Sequence, residues 1–484
     1  MKHPSRWLIF VLVAVAQFMV VLDNAITNVA LPTIKRQLGF TTDSLQWVVT
    51  AYVLFFGGFL LLGGRLADLF GRRRTLLIGM AAFTLFSLLI GCSQTAAELI
   101  VLRALQGLSG AFMSPAALSI VLVTFRDGPA RNRALSYWTL VATGGAAFGM
   151  LLGGALTQYL GWRWNFFINV PIGAVMLVLI ARLVPVHERE ETHKGLDVPG
   201  AVLVTSSLMT LVLAFSQGPA WGWTSPGTIG LAGAALVLLL GFIAHEARTR
   251  RPLMPLSIFK IRNVRGANLI MAPLYATVLG GFFLLTLFLQ NTLHFSPVVT
   301  GLSFLPFPIT LGYVSTRMPK LVGRHGYRRF LIAGPLVVAV GLLWVSTLHV
   351  GSNYWLGVLP ATIIMPLGIG MTMMPVIAAA TSGVPSHEAG VASGLISTSQ
   401  QMGGALGLSI LSSVAASVAS HWAYQGSMRA ALHGSHIAFQ VAAGFMALAS
   451  LVAITIIRTP QRARNEAPAE RQVPGRLQSD LSIH

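Results

Sequence analysis

The chain has 484 residues, 54% of them hydrophobic and 10% charged, and its 33 Lys and Arg against 14 Asp and Glu leave a net charge of +19. A soluble protein is roughly 45–50% apolar and about 25% charged, so a cytosolic composition is excluded. The basic residues sit between apolar runs rather than among base-reading elements, which argues against nucleic acid as a partner, and the single cysteine, Cys92, excludes an intramolecular disulfide or a cysteine metal cluster.

The first apolar run follows MKHPSRW. It is too long for a signal-peptide core and has no small-residue cleavage site, so it reads as a retained first span. A membrane helix needs about 20 mostly apolar residues, and fourteen segments meet that measure: 7–31, 46–64, 75–94, 97–124, 134–157, 165–184, 198–216, 228–246, 266–290, 300–318, 330–349, 355–380, 389–416 and 436–458. Even parity puts both ends on one side. With that side cytoplasmic, the Lys and Arg residues fall in cytoplasmic loops, apart from Lys35, Arg36, Arg163 and Arg429 outside and Arg103 within a span. This is the asymmetry of a multi-pass protein of the cytoplasmic membrane. Trp47, Trp162, Trp164, Trp221, Trp223, Trp355 and Trp422 lie near the outer ends and are expected in the interfacial belt.

The loop after span 2, GRLADLFGRRR (64–74), is echoed after span 10 by PKLVGRHGYRR (319–329). A shift of 255 places Gly71 on Gly326, and Arg73 and Arg74 on Arg328 and Arg329, while Asp68 falls opposite Gly323. Repeated halves of like orientation are typical of transporters that rock two bundles about a central site. Eight spans separate the copies. The expected organisation is therefore a six-helix bundle over 1–184, two additional helices with linkers over 185–265, a second six-helix bundle over 266–458, and a polar, disordered cytoplasmic tail over 459–484.

Six strings in order, LDNAITNVALPTI (22–34), GRLADLFGRRR, RALQGLSGA (103–111), GMLLGGAL (149–156), WRWNFFINVPIG (162–173) and GVASGLISTSQQMGGALG (390–407), resemble the major facilitator superfamily in its fourteen-span drug:proton antiporter branch. The resemblance covers essentially the whole chain. It implies an all-α integral membrane protein with the major facilitator fold, two six-helix bundles and two extra central helices. It also implies an alternating-access carrier that exports hydrophobic or cationic small molecules, with the proton gradient in place of a cofactor.

A buried charge costs at least about 2.5–3.5 kcal/mol at mid-bilayer and marks a functional candidate. Asp23 and Arg103 are the two clear cases. Counted from the outer helix ends they lie roughly 12 Å and 9 Å deep, on helices that neighbour each other in the resembled fold. The pair reads either as a tie between helices or as the proton-coupling site that the resemblance implies. Gln106 shares the face of Arg103; Asn24, Thr27 and Asn28 form two polar rows on span 1. With Asn268 and Gln290 on span 9 they are the expected substrate-cavity residues. The methionines of span 12, Met365, Met371, Met373 and Met374, suit either core packing or a promiscuous pocket.

The expected conformational gate is Asp68, Gly71, Arg72 and Arg73, with Gly149, Gly153 and Gly154 of span 5. By resemblance Asp68 clamps onto the start of span 13 as an anion at a helix N-terminus, and the span 5 glycines form the antiporter motif, where Met150 replaces the usual Pro. Four-residue spacing of small residues is equally a plain packing device.

No glycine precedes a lysine in a phosphate-cradling pattern, no Gly-x-Ser-x-Gly elbow is present, and the histidines lack ligand spacing. An ATP-driven pump, a hydrolase and a metal enzyme are therefore not expected. The expected partners are protons, a small-molecule substrate and the lipid bilayer. A proton-coupled uptake symporter, a non-transporting sensor and an accessory efflux partner stay open.

Overall fold

The computed structural model describes residues 5–125, 129–185, 197–249, 252, 256–382, 384, 389–422 and 426–458, with some side chains inside the helices also left out. Among the described residues the long elements are all helices. They are α1 (Arg6–Leu38), α2 (Trp47–Phe70), α3 (Arg72–Cys92), α4 (Ala96–Thr124), α5 (Pro129–Tyr159), α6 (Asn169–Leu183), α7 (Val198–Trp221), α8 (Pro226–Arg248), α9 (Arg262–Leu287), α10 (Pro306–His325), α11 (Tyr327–Val345), α12 (Leu359–Thr381), α13 (Ala389–His421) and α14 (Ser427–Thr455). Short turns, Trp164–Phe167 and Pro297–Ser303, lead into α6 and α10. Among the described residues twelve helical segments are long and apolar enough to cross a membrane; α2 and α5 are of similar length and fall outside that twelve. The tail over 459–484 lies outside the described residues.

Helix ends follow from local chemistry. The Ser5 hydroxyl accepts from the Leu8 N–H at 3.2 Å and starts α1, Thr95 and Glu98 form a reciprocal capping box at α4, and Pro226 opens α8 where its missing N–H costs nothing. Asp197 caps α7 through the Gly200 N–H at 2.9 Å and holds His245 near the end of α8 at 2.7 Å, pinning the two helices together.

The packing repeats eight helices along. Helix α1 packs on α4, α5 and α6 as α9 packs on α12, α13 and α14; α4 takes α2 and α3 as α12 takes α10 and α11; and α3–α6 matches α11–α14. Gly71 and Gly326, aligned by the 255-residue shift, both adopt positive φ, +96° and +76°, at the sharp turns α2–α3 and α10–α11. Only glycine takes such backbone without strain. Two residues on, the Arg73 guanidinium donates to the Ala181 carbonyl near the end of α6, and Arg328 donates to the Ile454 carbonyl near the end of α14 at 2.7 Å. Each satisfies a carbonyl in the last turn of its helix, with the favourable sign for the dipole.

Helices α7 and α8 pack on each other, and α7 lies against α2 and α13. Ser409 and Ser413 of α13 donate to the Val212 and Phe215 carbonyls at 3.1 and 2.6 Å. Ser216 of α7 accepts from Gln46 Nε2 at 3.1 Å and from Trp47 Nε1 at 3.0 Å, while the Ser412 hydroxyl donates to Gln46 Oε1. The inserted pair is thus stapled to both sets of helices at the end remote from Ser5 and Arg458, here the distal end. Two further bonds join the sets there: Gln290 Nε2 to the Val29 carbonyl at 2.9 Å and the Val298 N–H to Gln158 Oε1 at 3.3 Å.

The most apolar stretches of α1 and α8 are 67% and 17% buried, so α1 is central and α8 peripheral. Val237, 69% exposed on α8, and Leu240 present an apolar outer surface that suits lipid tails. Trp162 departs from the belt expected of it. It is wholly buried, with its indole N–H on Gln37 Oε1 at 2.8 Å, because it sits at a turn tucked under α1. Trp164, Trp221, Trp223 and Trp355 are exposed.

Candidate functional site

Helices α1, α2, α3, α4 and α6 enclose a polar cluster in which every key side chain is inaccessible to solvent. Asp23 Oδ2 lies 2.5 Å from Arg103 Nη1. Asp23 Oδ1 accepts from Gln106 Nε2 and from Asn169 Nδ2, each at 3.0 Å. Arg103 also donates from Nε to the Val48 carbonyl at 2.9 Å and from Nη1 to Gln106 Oε1 at 2.6 Å, and its guanidinium carbon stands 4.3 Å from the centroid of the Tyr52 ring. Gln106 Nε2 reaches Ser87 Oγ at 2.8 Å. A buried charge pair repays its desolvation only when the remaining donors and acceptors are met; here both carboxylate oxygens, Nε and Nη1 are met, and Arg103 Nη2 is left without a partner among the described residues.

The RALQG string explains the arrangement. Arg103 and Gln106 are three apart and share a helix face, and Gly107 beside them lets α4 close on α2, since a Cβ there would run into the Tyr52 carbonyl. On α1, Asp23 and Thr27 are both fully buried, so that row turns into the bundle, and Thr27 Oγ1 donates to the Asp23 carbonyl at 2.7 Å.

Asn24 and Asn28 form the other row and face a different space. A cavity of about 430 Å³ lies between the two sets of helices, on the near side of the distal bonds. Its walls carry Phe56, Tyr275, Phe282 and Phe304, the carboxamides of Gln17, Asn24, Asn28, Gln400 and Gln401, and the hydroxyls of Ser114 and Ser397. No charged side chain lines it among the described residues. Asn28 donates from Nδ2 to the Asn24 carbonyl at 2.8 Å, and its Oδ1 has no partner among the described residues.

Four residues expected in the cavity are therefore placed elsewhere. Thr27 and Gln106 belong to the Asp23 cluster, because the face that meets Asp23 points away from the midline. Asn268 Nδ2 donates to the Val264 carbonyl at 2.8 Å and its Oδ1 accepts from Ser399 at 2.7 Å, tying α9 to α13. Gln290 is spent on the distal bond to Val29. Of the methionines, Met365 is buried against Gly341, and the cavity is lined instead by Met150.

The span 5 glycines make close contacts. A Cβ on Gly149 would lie 2.7 Å from the Ala25 Cβ, one on Gly153 2.6 Å from the Ile26 Cα, and one on Gly154 2.5 Å from the Pro297 carbonyl oxygen. The first two seat α5 on α1; the third seats it on the turn before α10, across the midline. In the loop motif, Gly71 makes the turn, Arg72 begins α3 and Arg73 holds α6. The Asp68 side chain and residues 385–388 before α13 lie outside the described residues, as does the expected clamp between them.

Asn169 escaped the sequence reading, although the signal was present. Asn165 and Asn169 stand four apart in an otherwise apolar run, on one helix face. Asn165 Nδ2 reaches Thr157 Oγ1 at 2.7 Å and the Ile26 carbonyl at 3.4 Å.

Residues 13–408 match the family model described as Major Facilitator Superfamily. The chain is 38% identical over 483 residues to the puromycin resistance protein pur8 of Streptomyces alboniger, covering 98% of this chain and 95% of that one. It is 41% identical over 419 residues to the cephamycin export protein CmcT of Amycolatopsis lactamdurans, covering 86% of each. Among solved structures, the POT family transporter PepTSo superposes with a TM-score of 0.71 at 16% identity, over 93% of this chain and 98% of that one. A point mutant of the nucleoside transporter NupG superposes at 0.67 and 11% identity, over 94% and 100%. Those two likenesses speak to the fold, and the nearer relatives and the family model agree with it: this chain is a multi-pass membrane protein that belongs to the Major Facilitator Superfamily of transporters.

Proposed function

We propose that the protein is a proton-coupled antiporter that exports small hydrophobic or amphipathic compounds across the cytoplasmic membrane by alternating access. In this reading all fourteen long helices span the bilayer, both termini are cytoplasmic, and the distal end is the outer face. Residues 1–184 and 266–458 form the two rocking bundles with α7 and α8 between them.

The observation that carries the proposal is the sealed pair Asp23–Arg103 standing one residue from Asn24 in the wall of the central cavity. A carboxylate in a dry site changes its proton affinity with the distance of its guanidinium partner, so movement of α1 against α4 converts proton uptake into a change of shape. The cavity supplies aromatic faces and neutral hydrogen-bonding groups, and Asn28 Oδ1 is an acceptor for an N–H or O–H of the cargo. Named relatives point the same way: besides puromycin resistance and cephamycin export, a tetracenomycin C resistance and export protein of Streptomyces glaucescens is 35% identical over 411 residues.

A susceptibility panel tests this. Expression in a sensitive host is expected to raise resistance to at least one of puromycin, lincomycin and tetracenomycin C, and nigericin, which dissipates the pH gradient, is expected to remove the protection. Unchanged susceptibility across the panel, with the protein shown to be in the membrane, overturns the proposal.

A further inference from the structure

Asp23 is surrounded by groups that suit its ionised form. Arg103, Gln106 and Asn169 all donate to it. Once the carboxylate takes a proton it becomes a donor itself and needs an acceptor. A buried O–H left without one loses about 1–3 kcal/mol.

The neighbours differ in their capacity to change role. A guanidinium only donates, and Arg103 is further held by the Val48 carbonyl. Gln106 is committed at both ends, with Oε1 on Arg103 and Nε2 shared between Asp23 and Ser87. Asn169 is different. It is fully buried, its Nδ2 lies 3.0 Å from Asp23 Oδ1, and its Oδ1 has no hydrogen-bond partner among the described residues. A half-turn of the amide about χ2 exchanges the two atoms and brings a free acceptor to the place where the donor stood. The backbone need not move, because Asn165, one turn earlier, is tied to Thr157 and to the Ile26 carbonyl.

We infer that Asn169 is a positioning residue that serves both protonation states of Asp23, donating to the carboxylate and, after its amide turns over, accepting from the acid. The inference rests on Asp23 being the proton site. The proton comes from water and returns to water, and the O–H bond formed and broken at Asp23 is the only covalent change. The ionisable side chains that face Asp23 among the described residues are Arg103 of α4 and Tyr52 of α2; α3 and α6 contribute the neutral Ser87 and Asn169. Because Asn169 opens α6, each turn of its amide also changes how α6 is held to α1.

Infrared difference spectroscopy of the purified full-length protein, titrated with acid, tests this with the proton as the only ligand. The carboxylic C=O band that Asp23→Asn removes is the band of Asp23. In Asn169→Leu, similar in shape and without hydrogen bonds, that band is expected at higher frequency, as for an acid lacking an acceptor, with its titration midpoint displaced by about one pH unit or more. Asn169→Ala is expected to do the same and stands in if the leucine variant does not fold, with membrane abundance and gel filtration reporting on folding. A merely structural role for Asn169 predicts wild-type frequency and midpoint in both variants, and that result overturns the inference. If instead no titrating band depends on Asp23, the assignment of Asp23 as proton site fails, a different outcome from failure of the Asn169 role.

Discussion

A guanidinium and a carboxylate withdrawn together from solvent depend on each other for their stability. Removing one partner of a buried pair costs about 3–5 kcal/mol, because the other charge is left stranded. Asp23→Asn, which strands a guanidinium that cannot lose its proton, and Arg103→Ala, which strands a carboxyl and leaves the space of a large buried side chain empty, are therefore both expected to lower membrane abundance and melting temperature. The double variant Asp23→Asn with Arg103→Gln, which strands no charge, is expected to regain abundance while proton-driven export stays absent. Thermal unfolding in detergent and efflux assays on the same membranes separate the two effects. A double variant that exports at the wild-type rate contradicts the proton role of Asp23. The pairing of these two charges was legible in the sequence because charge in an apolar run is expensive wherever it points. Direction was not legible: Asp23 and Asn24 are adjacent in the chain, and only the packing of α1 against α4 decides that one enters the bundle and the other the cavity. For the same reason Thr27 and Gln106 were expected at the cavity and stand instead with the charge pair.

At the scale of helices, small residues set how closely α5 approaches its neighbours. Gly153→Ala places a methyl 2.6 Å from the backbone of Ile26, so α1 and α5 must separate and the cavity wall shifts with them. Gly144, on the same helix, has nothing within 4 Å of the corresponding position, and Gly144→Ala gains up to about 1 kcal/mol of helix propensity. Loss of folded protein in the first variant and none in the second is the expected result, read by gel filtration of the solubilised protein. Equal tolerance of both would mean that α5 does not bear on α1 as described. Hydropathy located these helices well but misjudged their ends. The first span was expected over 7–31 and the helix runs to Leu38; the last was expected from 436 and begins at Ser427. Polar and small residues at a helix end carry little membrane signal, yet they continue the helix wherever a neighbour packs on them.

Across the whole molecule the cavity wall carries no charged side chain among the described residues, which bears on the energetics of exchange. Each charge that crosses the membrane is worth about 2.3 kcal/mol per 100 mV. An uncharged cargo exchanged for one proton moves net charge, so its accumulation is expected to respond to membrane potential and pH gradient alike. A monovalent cation exchanged one for one responds to the pH gradient alone. Vesicles with the potential clamped by potassium and valinomycin distinguish the two, and for the cargo that fits these walls the voltage response is the expected one.

Asp23 and Asn24 sit side by side on one rigid helix, one locked among donors in the first bundle and the other bordering the central space. Linkage between two such sites works equally in both directions. A compound wedged against Asn24 that resists movement of α1 must alter how readily Asp23 exchanges hydrogen ions, even without touching it. With Asp23 as the proton site, inhibitors of this carrier are expected to be detectable by acid–base titration of the purified protein, without a transported drug in the assay.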